Sequence, residues 1–553
     1  MVKVNEYLTE QLARWGVTRI YGVTGDAILP WLDSLGKQTN IEYIRCRHES
    51  TAAMMASAEA KLTGKPAVCI ATSGPGTANL INGLADAHID HVPVVVITGQ
   101  VETYKLGGNY KQYIDQQKLY GAITHYSTVV AHPNMIGQAL HKAFVGAISQ
   151  KGVTHLSICK DMFTQETQEP LLDRLPDPLQ HTFVQKEVAR QALEMMAQAK
   201  KPLVLLGVGT RDISKMVQQF VEQLGAGVLL SLGAKGVIPH NHPQVISGLG
   251  DGGTHTALQA LQEVDLLVIL GSTWFPRDYI PNNLPMIQVD ENLEAFHAYP
   301  NLTTVLGQLE EVLPTWVQGL KRMKPMNMDW LYRLHTLHDG AVLEMEQMLH
   351  DDRQAFGAPD RVMPQTLIRA IEQAVNEDAL IALDTGEHTV WFNRVFRATK
   401  QQPLFSGKWR TMGYGLPAAI AAKKVYPDRQ VVAIVGDGGL LMALGELMTL
   451  REQQLPITIF VVNNGSLGLE EHKMQQEGFD LFGTRITNPD FTLLGQAFGL
   501  DVVRIEHAGE LPHLVKWALS SNQSTLVDVS CTLPTLKPIQ KNEFTSIEQK
   551  MNQ

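Results

Sequence analysis

The feature that most constrains this chain is a short unbroken run of apolar residues that stops at glycine, aspartate or asparagine and is followed by a helical pattern. It recurs at "VCIATSG" (68–74), "PVVVITG" (93–99), "PLVLLGVG" (202–209), "DLLVILGS" (265–272), "ALIALDTG" (379–386), "VVAIVGDG" (431–438) and "ITIFVVNN" (457–464). A strand with one wet face alternates apolar and polar residues. A run apolar at every position is the pattern of a parallel strand covered on both faces. Strands of this kind separated by helices predict an α/β chain of doubly wound parallel sheets.

A chain of 553 residues is too long for one core. Polar, proline-rich stretches break the pattern at 159–181, at 321–329 and again at 350–364, and linkers are expected there. Three doubly wound domains follow, over 1–178, 183–340 and 355–535, with a C-terminal tail from 536 to 553.

The net charge of -10 and the scattered basic residues argue against nucleic acid as a partner, because a phosphate backbone calls for a basic face. The four cysteines are far apart, which excludes a disulfide framework or a C-x-x-C site and fits a reducing compartment. The opening residues read as an ordinary amphipathic helix rather than a signal peptide, and no apolar run is long enough for a bilayer. The tail "KPIQKNEFTSIEQKMNQ" is a poor interfacial helix. The expectation is a cytoplasmic protein with no membrane partner.

In a parallel sheet, ligands bind at the carboxyl ends of the strands. "GDGG" (436–439) stands at such an end and opens a helix. Gly436, Gly438 and Gly439 permit close backbone approach, and a helix start offers free N–H groups to a phosphate. Asp437 is out of place beside an anion unless a divalent cation lies between them, and Mg²⁺ commonly bridges a carboxylate and phosphates. Asn464 lies 27 residues on, after the next strand, and with the carbonyl near Ser466 completes a candidate metal set of Asp437, Asn464 and Ser466. Leu467 and Gly468 continue the same turn.

G-D-G followed by N-N at this spacing resembles the cofactor motif of thiamine diphosphate enzymes. The resemblance covers essentially the whole chain, in the order pyrimidine-binding, middle and diphosphate-binding domain. It implies thiamine diphosphate and Mg²⁺ as cofactors, and a homodimer or homotetramer with sites at subunit interfaces. In "RHESTAAMMASAEA" it makes Glu49 the glutamate that activates the cofactor through the aminopyrimidine, and in "TSGPGTANL" it places Gly74 and Asn79 nearby. In "GKWRTMGYG" it makes Met412 the bulky residue under the bent cofactor and the Arg410 carbonyl an acceptor for its amino group. In "DTGEHTVW" it brings Gly386 and His388 to the diphosphate, with Glu387 where synthase relatives carry glutamine.

Two branches of that family compete. "SLGAKGVIPHNHP", "DLLVILGSTWFPRDYIP" and "YGVTGDAI" resemble pyruvate oxidases, which implies oxidative decarboxylation of a small 2-oxo acid, pyruvate first, with FAD in the middle domain near "GLGDGG" (248–253) and Asp290. Against this, Lys111-Gln112-Tyr113 stands where Phe-Gln-Glu is usual. Glu470 and Asp26 match acids of the non-oxidative decarboxylases, so protonation or carboligation of the acetolactate synthase type stays open. A degenerate, catalytically inactive regulatory homologue is the alternative of another class.

Overall fold

The computed structural model describes residues 1–175, 184–296, 298–323, 325–355, 360–534 and 536, the side chains of 351–355 excepted. The expected tail, Leu536 apart, lies outside the described residues, as does part of each expected linker. Each apolar run forms a strand, and an α-helix follows within a few residues of the runs ending at 74, 386, 438 and 464.

The first sheet contains β1 (Arg19–Gly22), β2 (Glu42–Arg45), β3 (Ala67–Ala71), β4 (Val94–Gln100), β5 (Tyr126–Val130) and β6 (Val153–Cys159). The middle sheet contains β7 (Pro202–Leu206), β8 (Gly227–Leu230), β9 (Val245–Ser247), β10 (Leu266–Leu270), β11 (Met286–Asp290) and β12 (Leu302–Leu306). The third contains β13 (Leu380–Leu383), β14 (Gln402–Leu404), β15 (Val431–Gly436), β16 (Thr458–Asn463), β17 (Asp501–Ile505) and β18 (Thr525–Ser530).

All pairings within these three sheets are parallel. The middle sheet runs β9-β8-β7-β10-β11-β12, the dinucleotide-fold order. The first runs β2-β1-β3-β4-β6-β5 and the third β14-β13-β15-β16-β18-β17. The first and third domains therefore share one topology. The fold class expected from the runs is the fold observed.

Central strands such as β3, β7 and β10 are buried at every residue. Each sheet has a core on both faces. One core is continuous across two domains: the small-residue helix Glu49–Thr63 packs on Gly415–Val425, so alanines of the first and third domains share one apolar cluster. Small side chains there let the two helices approach closely.

The helix Met328–Ala355, 28 residues long, runs between the stretches 321–329 and 350–364 expected as linkers and overlaps both. Its Trp330, Leu334, Leu337 and Ala341 join the middle core, and Leu349 joins the core of the third domain. Its charged outer face gives it the polar composition of a linker. Among the described residues, no helix is long and apolar enough to cross a membrane.

Candidate functional site

The strand order of the third sheet reverses direction between β13 and β15, and in open α/β sheets ligands bind in the crevice at that switch point. Here the carboxyl ends of β13, β15 and β16 border a cleft. Its walls are Gly386 and His388 after β13, Gly436 to Gly439 after β15, and Asn464, Ser466, Leu467, Gly468 and Glu470 after β16, with Met412 at one side. The segments singled out in the sequence of the third domain thus meet at one place.

Asp437 is buried at the floor. Its Oδ2 accepts the backbone N–H groups of Asn464 (3.1 Å) and Gly465 (2.7 Å) and the amide of Asn488 (2.7 Å), while Oδ1 accepts the N–H of Gly438 (2.8 Å). Desolvation pushes its pKa upward and these donors oppose that. Asn488 also donates to Asn463 Oδ1 at 2.9 Å, so it fixes the carboxylate and the neighbouring strand end together. Nothing in the sequence marked Asn488, which lies 51 residues from Asp437.

The side of the cleft is set by Asp384, also unmarked in the sequence. This buried carboxylate accepts N–H groups from Thr385 (2.7 Å), Gly413 (2.9 Å) and Gly415 (3.2 Å). Burial raises its pKa to about 6 against the pull of those donors. It thereby ties the end of β13 to the loop of Arg410 and Met412. That loop is unusual in its backbone: Arg410 has φ 56° and Gly413 φ 80°, a conformation disfavoured for a side chain-bearing residue such as Arg410. The loop is held from its other side by the first domain, where Asp90 accepts the N–H groups of Gly407 and Lys408 and Asn82 accepts the Trp409 indole and donates to Thr411.

His388 lines the cleft, but its Nε2–H donates to the Asp384 carbonyl at 3.0 Å. Burial lowers its pKa to about 4, so it is a neutral ring at physiological pH. Glu387 is buried beside it.

Other predicted residues lie elsewhere. Glu49 is the first residue of its helix, half-buried, with Oε2 accepting from Asn79 at 3.0 Å. Neither is among the residues lining the cleft. Gly74, with φ 64°, packs under the backbone of Gln112, where a Cβ would lie 2.9 Å from the Gln112 carbonyl oxygen. The carboxylate of Asp26 is exposed and pairs with Lys160 at 2.7 Å. Glu470 stands at the lip of the cleft, its side chain 57% exposed and paired with Lys473 at 3.0 Å.

Comparison with known families matches this arrangement domain by domain. Residues 2–119 match the N-terminal TPP binding domain of thiamine pyrophosphate enzymes, 189–315 the central domain, and 384–529 the C-terminal TPP binding domain. The chain belongs to the thiamine diphosphate (pyrophosphate) enzyme family. It is 32% identical to YdaP of Bacillus subtilis (strain 168), a protein named for thiamine pyrophosphate, over 94% of this chain and 90% of that one. It is 30% identical to the acetolactate synthase isozyme 1 large subunit of Escherichia coli (strain K12), over 91% and 90%. It is 31% identical to the isozyme 2 large subunit of the same organism, over 95% of each. This thiamine diphosphate enzyme has a diphosphate-domain cleft whose residues suit an anion: glycines at two strand ends, and the N-termini of the helices Glu387–Val395 and Gly468–Gln476.

The cleft also suits a hard cation, with the Asp437 carboxylate and the Asn464 side-chain oxygen on adjacent strand ends. The expected flavin segment behaves differently. A Cβ at Gly252 would lie 2.2 Å from the Asn393 amide, and one at Gly253 2.4 Å from the Gly248 carbonyl oxygen. "GLGDGG" packs on itself and on Asn393 of the third domain. Asp290 is buried, with its carboxylate accepting from Asn292 N–H at 2.9 Å.

Proposed function

We propose that this enzyme, loaded with thiamine diphosphate and Mg²⁺, decarboxylates a small 2-oxo acid, pyruvate first, and joins the remaining two-carbon unit to a second carbonyl, as an acetolactate synthase-type carboligase. The observation that carries the reading is the meeting of Asp437, Asn464 and the glycine turns at the switch point of the third sheet. Likeness to acetolactate synthase large subunits supports the carboligase choice.

When bound, the cofactor supplies a carbon nucleophile and an electron sink for the decarboxylation. Asp437 and Asn464 would hold the cation and, through it, the diphosphate. Met412 and the Arg410 carbonyl would shape the cofactor's bend, their loop locked by Asp384 and by Asp90. Glu49 would hold a proton at the aminopyrimidine. Because Glu49 and the cleft lie on different domains, a second copy of the chain would complete each site, giving a dimer or a larger even assembly. Glu470 at the cleft lip favours a second reading, protonation with aldehyde release.

Product analysis separates these readings. With pyruvate, thiamine diphosphate and Mg²⁺, the expected product is acetolactate. Acetaldehyde as the main product would favour the second reading, and acetate formed only with an electron acceptor would overturn carboligation in favour of oxidation.

A further inference from the structure

The loop 405–414, between β14 and the helix Gly415–Val425, carries Arg410 and Met412, and the first domain grips its leading end through one buried cation. Lys61 lies near the end of the helix Glu49–Thr63, its side chain 10% exposed. An ammonium group has three N–H donors, and here each has an acceptor: Asp86 Oδ2 at 2.7 Å, Asp90 Oδ2 at 2.8 Å and the Phe405 carbonyl at 3.0 Å. The same nitrogen stands 4.7 Å from the centre of the Tyr414 ring, at the trailing end of the loop. Asp86 is fully buried and accepts from Ser57 Oγ of the Lys61 helix at 2.6 Å. Asp90 passes the grip on: Oδ2 accepts the N–H of Gly407 at 2.8 Å and Oδ1 that of Lys408 at 2.9 Å. The approach is so close that a Cβ at position 407 would lie 2.7 Å from either oxygen of this carboxylate.

Holding two domains together is a poor explanation for such a cluster. Taking an ammonium and two carboxylates out of water costs about as much as their attraction returns, and apolar residues of similar volume often serve as well. Apolar contact already joins the domains along this helix, whose alanines pack on Gly415–Val425. What the charges add is fixed direction. Asp384 fixes the trailing end of the loop at Gly413 and Gly415, and Lys61 with Asp90 fixes the leading end at Phe405, Gly407 and Lys408. Between these two anchors Arg410 stands at φ 56°, a conformation that persists only where the surroundings over-determine it. We propose that Lys61 is a positioning residue for the cofactor: by fixing the leading end of this loop, directly and through Asp90, it sets Met412 and the Arg410 carbonyl for the ring end of thiamine diphosphate and leaves the diphosphate end untouched. This rests on the thiamine diphosphate reading of the cleft.

Calorimetry with two ligands tests this on wild type and Lys61→Met, which removes the ammonium group and keeps most of the stem. One ligand is thiamine diphosphate with Mg²⁺. The other is inorganic diphosphate with Mg²⁺, read by its displacement of thiamine diphosphate; it has no ring end and makes no use of the loop. Thiamine diphosphate should bind the variant about 10–100-fold more weakly, the size of effect that follows loss of an orienting partner. Inorganic diphosphate should bind within about threefold of wild type. Equal losses for the two ligands would make Lys61 a support of the whole cleft and overturn the proposal, as would no loss for either. If Lys61→Met fails to fold, Asp90→Asn serves: its amide has one acceptor oxygen for two loop N–H groups, so the same selective loss is expected, and an equal or absent loss overturns the proposal. If wild type binds no thiamine diphosphate, the cofactor reading fails and the proposal with it, whereas a wild type that binds it beside an unselective variant sinks the proposal alone.

Discussion

Asn79 Nδ2 donates to Glu49 Oε2 at 3.0 Å; Glu49 opens the helix Glu49–Thr63 after β2, and Asn79 closes the short helix Pro75–Asn79 after β3. The bond fixes the direction of a half-buried carboxylate without a counter-charge. Glu49→Gln should preserve it and the fold while costing roughly 10²–10⁴ in turnover, the size of a general acid–base contribution. Thiamine diphosphate affinity should stay within a few-fold. Turnover above a tenth of wild type would remove Glu49 from its assigned role.

Asn488 holds Asp437 from outside the strand that carries it. Asn488→Ala should weaken Mg²⁺ binding by about 10–100-fold, as loss of a partner that orients a metal ligand does elsewhere. Isothermal titration of the protein with Mg²⁺ and thiamine diphosphate measures this, and an unchanged affinity would show that the backbone donors suffice.

The exposed Glu470–Lys473 pair should contribute no more than about 1 kcal/mol to stability. Glu470→Gln is expected to leave carboligation within about threefold. A loss of aldehyde release greater than tenfold, with decarboxylation intact, would make Glu470 a proton donor.

Acid should destabilise the fold in a defined window. Burial depresses His155 and His240 from the ordinary 6.5 to about 3, and His388 to about 4. The unfolded chain therefore binds protons that the folded one refuses, and stability present above about pH 6.5 is lost as the pH falls toward 4. Each histidine adds up to about 1.4 kcal/mol per pH unit in that window. Asp384, raised to about 6, works in the opposite sense below pH 6 and offsets part of the loss. Denaturant midpoints should drop between pH 7 and pH 5, and His155→Gln should flatten the drop while lowering the midpoint at pH 7, since His155 bonds Thr98 and Ser127.

Assembly is testable directly. Large apolar side chains are exposed at Met442, beside the cleft, and at Phe479 and Phe482, after the helix that carries Glu470. Light scattering should give a dimer or tetramer, and Phe482→Asp should shift it toward smaller species with loss of turnover. An active monomer would contradict a site shared between subunits.

The sheets were legible because burial on both faces writes itself into consecutive residues. The cleft was legible because its glycines and Asp437 fall at strand ends, where the chain must turn. Asp384, Asn488 and Lys61 were not, since each matters through a partner tens of residues away and has no local pattern. The polar stretches 321–329 and 350–364 misled for a related reason: the helix Met328–Ala355, which overlaps both, shows each core only a narrow stripe, so its composition is mostly that of its wet face.

That helix has a mechanical meaning. At about 1.5 Å per residue it is about 42 Å long, rooted at one end in the middle core through Trp330 and at the other in the third through Leu349. Its Glu346 meets Arg369 and Arg397 of the third domain at 3.0 Å. A strut with a foot in each body cannot fray without loosening both, so the two domains should melt as one cooperative unit, and a cut in this rod should lower the melting temperature of the two together.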